Sequence, residues 1–452
     1  MKDLCDKRFL ITTTVIIFVC SIVSYLGCTK IKYNDLNARI STDWVKKAII
    51  YEVSLRSFPK SGTFKALETQ IPELKKLGIT VVSLAPIHPI GELNRRGKVG
   101  SPDAVKDFYA VNTDFGTLED FKSLVNTTHQ QGLKIIINLV INQAAWDSQL
   151  LIEHPDWFVH NEEGAIVSPN SERSDVAQLD YNQHELRKYM IAVMKFWVQE
   201  IGIDGFQCRS AELIPTDFWD VARNELDKFK PVLMVSEGMV PEHHMKAFDL
   251  TCSWNINSTL ANIIGGTVPA SIINDSLNAE FLRFPKGSLH LRFKTAQDKD
   301  LEDAPSIDKP NLPGAKAIAI LAFTLPGVPL IFICDEIGDN KQLDLFKLYE
   351  DLRTLRQDHP ALQYGSYSSV QNSDRFHLLS FIRFSGKDSV LIVINFADRK
   401  IETDIHMPVR ASLLWKNQFS GVNLKIKDSR LSVAVLPLGF LALIPSSEKE
   451  VL

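Results

Sequence analysis

Two periodicities divide the chain. From Trp44 to about Gln363, short apolar runs alternate with stretches whose apolar residues recur every three or four positions. "IIYEVSL", "TVVSLAP" and "LKIIINLV" are runs of the first kind, and the last is near-continuously apolar, as a strand buried on both faces would be. "IDGFQC", "VLMVSEG", "FDLTCSW", "LHLRFKT" and "VPLIFIC" follow. Helical stretches lie between most of them. Leu118, Phe121, Leu124 and Val125 share one face, and Leu186, Met190, Val193, Trp197 and Ile201 mark one long helix. Strands alternating with helices in this way predict a (β/α)8 TIM barrel. Beyond Tyr364 the period changes to two, in "FHLLSFIRF", "SVLIVINF", "ASLLWK" and "LSVAVLPLGFLALI". That alternation predicts a separate antiparallel β-sandwich domain.

An irregular stretch from 142 to 182 follows the third strand and is too long for a simple connection, so it reads as a small inserted loop domain. The organisation expected is a leader over 1–28, a linker over 29–43, the barrel over 44–363 with its insert at 142–182, and the β domain over 364–452.

The leader changes the picture of where the protein works. "MKDLCDKR" carries Lys2, Lys7 and Arg8, and "FLITTTVIIFVCSIVSYLG" then has no charge before Cys28. A basic start, an apolar stretch and a small residue before a break describe a secretory signal. At about 19 residues the stretch is also long enough to span a bilayer. Ending at Gly27-Cys28, it resembles a bacterial lipoprotein signal, with Cys28 the lipidated residue after cleavage, although Tyr25 and Leu26 depart from the usual lipobox. An uncleaved single span and simple secretion are the alternatives. All three place the rest of the chain outside the cytoplasm, and the first two anchor it to a membrane.

Composition adds exclusions. A net charge of −4 with no basic patch or charge run gives no footprint for nucleic acid. None of the six cysteines forms a CxxC pair, so neither a zinc site nor a disulfide framework is indicated, and Cys208, Cys252 and Cys334 read as buried thiols.

In a barrel of this kind the active site lies at the C-terminal ends of the strands. Those ends carry Asn138 and Asn142 ("NLVINQ"), Gln207 and Arg209 ("GFQCRSAE"), Glu237 ("VSEG"), and Gln297 and Asp298 ("FKTAQD"). Any one of them alone is more often a solvated loop residue. Polar residues at four strand ends in this order are harder to dismiss.

Here the chain resembles the alpha-amylase family, glycoside hydrolase family 13, over about Trp44 to Ile444. The resemblance is carried by "IIYEVSLRSF", "YAVNTDFGTLEDFKSLV", "HPDWFVHNEEGAIVSPN", "VAQLDYNQHELRKYMI", "IGIDGF" and "TLPGVPLIF" in order. It implies the barrel, the insert after the third strand, the C-terminal β-sandwich, and action on alpha-glucans by a retaining mechanism. Carried over residue by residue, the site is degenerate. The family's Asp-x-x-x-Asn-His reads "NLVINQ", so Asn138 and Gln143 are departures and Asn142 is kept. Gly-Phe-Arg-x-Asp reads "GFQCR", with Gln207 for the arginine and Arg209 for the nucleophile. Glu237 matches the general acid. Asn-His-Asp reads "AQD", with Ala296 and Gln297 as replacements and Asp298, the third carboxylate, kept. Asp103 stands where many members place an aromatic platform, and Trp146 is a further candidate for stacking on a sugar. Some members bind calcium near the residue matched by Asn142. With Asn138 and Gln143 beside it that position has lost charge, so no cofactor or metal is expected.

The chemistry of Arg209 is prohibitive for the family reaction. A retaining glycosidase needs two carboxyl groups about 5 Å apart, one of them attacking the sugar. A guanidinium stays protonated and has no usable lone pair. The transition state resembles an oxocarbenium cation. A fixed positive charge about 4 Å away costs it roughly 4 kcal/mol at an effective dielectric of about 20. That is on the order of a thousandfold in rate. Such an arginine is expected to pair with Glu237 or Asp298.

The sequence therefore favours an extracytoplasmic, membrane-anchored amylase-family protein that has lost retaining hydrolysis and either binds an alpha-glucan or serves as a structural component. One alternative is a glycosidase of altered mechanism using Glu237 and Asp298 with a water between them. A second is an ectodomain like the heavy subunits of amino-acid transporters, with Cys28 outside an uncleaved span.

Overall fold

The computed structural model describes residues 31–58, 61–292, 312–332, 343–407 and 412–446. The expected leader, with Cys28, falls outside them. Among the described residues, no helix is long and apolar enough to cross a membrane.

Eight parallel strands close into a barrel. They are β1 (Ile50–Val53), β2 (Val81–Leu84), β3 (Lys134–Leu139), β6 (Gly205–Cys208), β7 (Leu233–Ser236), β8 (Leu250–Cys252), β9 (Leu289–Arg292) and β10 (Val328–Phe332), with β10 returning to pair with β1. Between β3 and β6 the inserted segment forms its own antiparallel pair, β4 (Gln143–Ala145) with β5 (Val176–Gln178). Every barrel strand read from the sequence is present. The strand period of two sorts residues into two packed clusters. Ile50, Val81, Ile136, Leu233, Val235, Leu250, Leu291, Val328 and Leu330 form one, which fills the barrel. Tyr51, Val82, Ile135, Ile137, Phe206 and Met234 belong to the other, where the strands meet the helices.

Backbone details fix the fourth barrel strand, which positions Arg209. The helix His184–Phe196 runs into a π-helical turn, Trp197–Ile201, closed by Gly202 at φ 92°. This differs from the uniform helix expected. Trp197 at that turn is fully buried and its indole N–H donates to the Phe108 carbonyl at 2.9 Å. Gly205 then starts β6 at φ 147°, and a Cβ there would lie 1.9 Å from the Leu233 carbonyl oxygen, so no other residue fits without moving β7.

The C-terminal region holds a six-stranded antiparallel sheet. It comprises β11 (Ser366–Ser369), β12 (Leu378–Ser385), β13 (Asp388–Asn395), β15 (Leu414–Asn417), β16 (Asn423–Lys425) and β18 (Phe440–Pro445). A second sheet pairs β14 (Ile401–His406) with β17 (Arg430–Val435). Leu391, Val393 and Leu443 of the first sheet share one buried cluster with Ile405, Leu431 and Val433 of the second, so the two pack face to face. β14 escapes a hydropathy reading because only Ile401 and Ile405 are strongly apolar within "IETDIH". The last run expected from the sequence divides into β17 and β18 at a turn containing Leu438, φ 51°.

Buried titratable groups outside the barrel mouth set the acid stability. Burial pushes the imidazoles of His88, His243 and His290 down to about 4. Burial alone would raise the carboxyls of Asp204 and Glu280. For Asp204, His129, Lys230 and the Ile135 amide outweigh it, and for Glu280, Arg292 does, bringing both down to about 2. The unfolded chain therefore takes up protons that the folded one refuses, first at the histidines and then at the carboxylates. Stability is expected to fall as pH drops from about 6.5 to 4, through the histidines, and again from about 4 to 2, through the carboxylates. Urea midpoints at pH 7, 5 and 3.5 measure this, and a midpoint unchanged between pH 7 and 5 would contradict it.

Candidate active site

Inward-facing positions change character along the barrel. Toward the N-terminal ends they are apolar. One step nearer the mouth they become Glu52 on β1, Ser83 on β2, Asn138 on β3 and Gln207 on β6, all buried. Asn138 Nδ2 donates to Glu52 Oε1 at 3.0 Å, and Gln207 Nε2 lies 3.4 Å from Glu52 Oε2. Ser83 Oγ lies 3.2 Å from Asn138 Oδ1 and 3.1 Å from Gln207 Oε1. β1 and β6 are not neighbours in the barrel, so these bonds cross its interior.

Arg209 lies two residues beyond Gln207 and so faces the same way, one step closer to the mouth. It is 6% exposed, which excludes a solvated strand-end arginine. Its Nε lies 3.4 Å from Asp103 Oδ1 and 4.0 Å from Glu237 Oε2. The pairing expected from the sequence is therefore present with Glu237. Glu237 itself is fixed from three directions. Its other carboxylate oxygen accepts from Gln207 Nε2 at 3.0 Å, its amide donates to the Cys208 carbonyl at 3.1 Å, and its carbonyl accepts from the Trp254 indole at 2.6 Å. Cys208, between Gln207 and Arg209, is a buried thiol pushed well up by burial and then by the Glu237 charge, so it stays protonated.

Asp103 comes from the loop after β2 and is no sugar platform. Its other oxygen, Oδ2, accepts from Arg173 Nη1 of the inserted segment at 2.9 Å, and Arg173 Nε lies 3.6 Å from buried Asp175. The charged chain therefore runs Glu237, Arg209, Asp103, Arg173, Asp175.

Other candidates sit at the edge of this arrangement. Asn142 is buried, with Nδ2 donating to Gln143 Oε1 at 3.3 Å, and its Oδ1 has no hydrogen-bond partner among the described residues. Trp146 donates its indole N–H to the Ser174 carbonyl at 2.9 Å and packs half-buried against the core, which makes it a brace for the insert. Gln297 and Asp298 lie outside the described residues. Among the described residues no group of three or more acidic, histidine or cysteine side chains could hold a metal ion. Glu52, Ser83 and Arg173 were missed from sequence. Glu52 did carry a signal, being a lone acid within an apolar strand at the inward parity of Ile50. Arg173 carried none.

A closed parallel barrel with its polar side chains gathered at the C-terminal ends of the strands has the layout that enzymes of this architecture use. Comparisons with known proteins agree with this fold. The alpha amylase catalytic-domain model matches residues 32–174. A solved structure, the noncanonic maltogenic alpha-amylase AmyB from Thermotoga neapolitana, is 30% identical with a TM-score of 0.80, covering 88% of this chain and 99% of that one. An alpha-1,4-glucan:maltose-1-phosphate maltosyltransferase from Picrophilus torridus is 30% identical over 393 residues, 76% of this chain and 60% of that protein. Alpha-amylase MalA from Haloarcula japonica is 23% identical over 384 residues, 78% of this chain and 56% of that protein. The chain thus spans little more than half the length of these two relatives. It belongs to the alpha-amylase family of glycoside hydrolases.

Asp103 is the shared counter-charge of two arginines, so its loss leaves buried positive charge poorly compensated. Asp103→Asn is expected to destabilise the fold by about 3 kcal/mol, the scale for removing one partner of a buried pair. Urea unfolding at pH 7 measures it. A variant as stable as the parent would show that the chain of charges is not structural.

Proposed function

We propose that this protein is an amylase-family glucan-binding protein that no longer performs retaining hydrolysis, held outside the cytoplasm by its N-terminal leader. One observation carries the reading: a buried arginine, paired with Glu237, occupies the strand-end position where the family's attacking carboxylate stands. Arg209 offers no nucleophile, and its charge opposes the cationic transition state. Pairing with a guanidinium also favours the ionised form of Glu237, whereas a general acid must hold its proton until the leaving oxygen needs it.

The ligand class rests on family membership and on the lining. The maltogenic amylase and the maltosyltransferase are named for alpha-glucan chemistry, and near the mouth the Asn142 carboxamide oxygen has no hydrogen-bond partner among the described residues. A neutral sugar is compatible with a site whose own charges are internally paired.

Incubation with maltooligosaccharides tests the loss of hydrolysis. Sugar release by the parent protein is expected to match that of Glu237→Gln, both at background, while calorimetry shows maltoheptaose bound by the parent. Glu237-dependent release, whether with retention or inversion at the anomeric carbon, would refute the proposal and favour an altered mechanism drawing on Asp298. Absence of any glucan binding would remove the ligand assignment.

A further inference from the structure

The geometry points to a second ligand site, at the opposite pole of the barrel from Glu237: a cleft that takes a phosphate group, on a small organic phosphate or a lipid headgroup. It has a volume of about 930 Å³ and lies where strands begin, lined by the segment leading into β1, the turn before β9, the start of β10 and the join to the β domain. That volume is in the range of small-molecule sites and far exceeds what a bare ion needs.

Its charges do not balance. Arg39 is matched by Asp249 at 2.6 Å, Lys46 by Asp43 at 3.8 Å, and Glu280 by Arg292 at 2.6 Å. Three cations remain. Lys47 and Lys286 are exposed on its walls, and neither has an ion-pair partner among the described residues. Arg383 is 1% exposed and meets only carbonyl oxygens, those of Thr324 at 2.7 Å and Gly365 at 2.9 Å. Among the described residues its Nε has no acceptor, and Ser288 Oγ, also lining the cleft, has no partner either. Two unengaged polar groups and three uncompensated cations around one cavity are a deficit of acceptor oxygens and negative charge. A phosphate group supplies both, with several acceptor oxygens for guanidinium, ammonium and hydroxyl donors. Burial, then Arg356 and Arg292, push the Arg383 guanidinium well below its ordinary range, a cost that a bound anion relieves.

The experiment titrates the full-length protein, in neutral detergent at low salt, with two probes by calorimetry. One is inorganic pyrophosphate. The other is dihexanoylphosphatidylglycerol as monomers, with dihexanoylphosphatidylcholine as its zwitterionic control. Saturable binding of pyrophosphate identifies a soluble phosphate ligand, whereas binding of the glycerol lipid alone identifies a headgroup. In either case Lys47→Ala/Lys286→Ala is expected to weaken binding about tenfold, as loss of two surface cations should. Ser288→Ala is expected to weaken it several-fold, with unfolding midpoints unchanged in both variants. No saturable binding of either probe would overturn the site. So would binding that survives both variants, or binding that responds to the lysines and ignores Ser288→Ala, since that is general charge attraction.

Discussion

A guanidinium buried at the mouth of a barrel must be met by carboxylates, and this requirement organises the site. Removing a cation from water costs several kcal/mol. At 4.0 Å, Glu237 returns roughly 4 kcal/mol at an effective dielectric of about 20. One carboxylate does little more than offset the burial of Arg209, and Asp103 at 3.4 Å tips the balance. Asp103 lies on the loop after β2 and is shared with Arg173 of the inserted segment. The charge at the end of β6 therefore ties together a barrel strand, a neighbouring loop and the excursion that covers them.

Beneath that clamp the barrel supplies a neutral platform. Ser83, Asn138 and Gln207 are uncharged, and with Glu52 they satisfy one another across the interior instead of facing outward. Gln207 is the link between the two levels, since its carboxamide nitrogen lies between Glu52 and Glu237. An arginine at position 207, the residue the family resemblance places there, would add a second cation about one side-chain length from Arg209. Two buried guanidinium groups would then stand among three acids, Glu52, Glu237 and Asp103, with Glu237 shared between them.

Sequence reading recovered what repeats and lost what is contributed once. The eight barrel strands were legible because each is a short apolar run with the same neighbours, and the registers of "NLVINQ", "GFQCR" and "VSEG" fixed the inward positions. The partner of Arg209 was legible in part. Glu237 follows from strand order, but Asp103 reaches the mouth from a loop whose path no periodicity encodes. Arg173 lies in "NSERSD", a polar stretch that reads as surface. Its role appears only once the insert folds back and β4 pairs with β5. β14 was invisible for a different reason: it carries too few apolar residues to show a period, and its pairing with β17 supplies the evidence that its composition lacks.

The proposed separation of binding from turnover follows from charge. A sugar in its ground state is neutral, so a fixed cation nearby changes its binding little. The transition state for glycoside cleavage carries positive charge at the anomeric carbon, and the same cation opposes it. Catalysis requires interactions that are stronger in the transition state than in the ground state, and here the sign of the difference is reversed. Substituting Arg209 by a neutral residue would remove the opposition without creating an attacking group. It would also leave Glu237 near Asp103, itself still held by Arg173, without the cation between them. On the proposed reading the arginine both stabilises this mouth and opposes the cationic transition state, and no single neutral substitution separates the two effects.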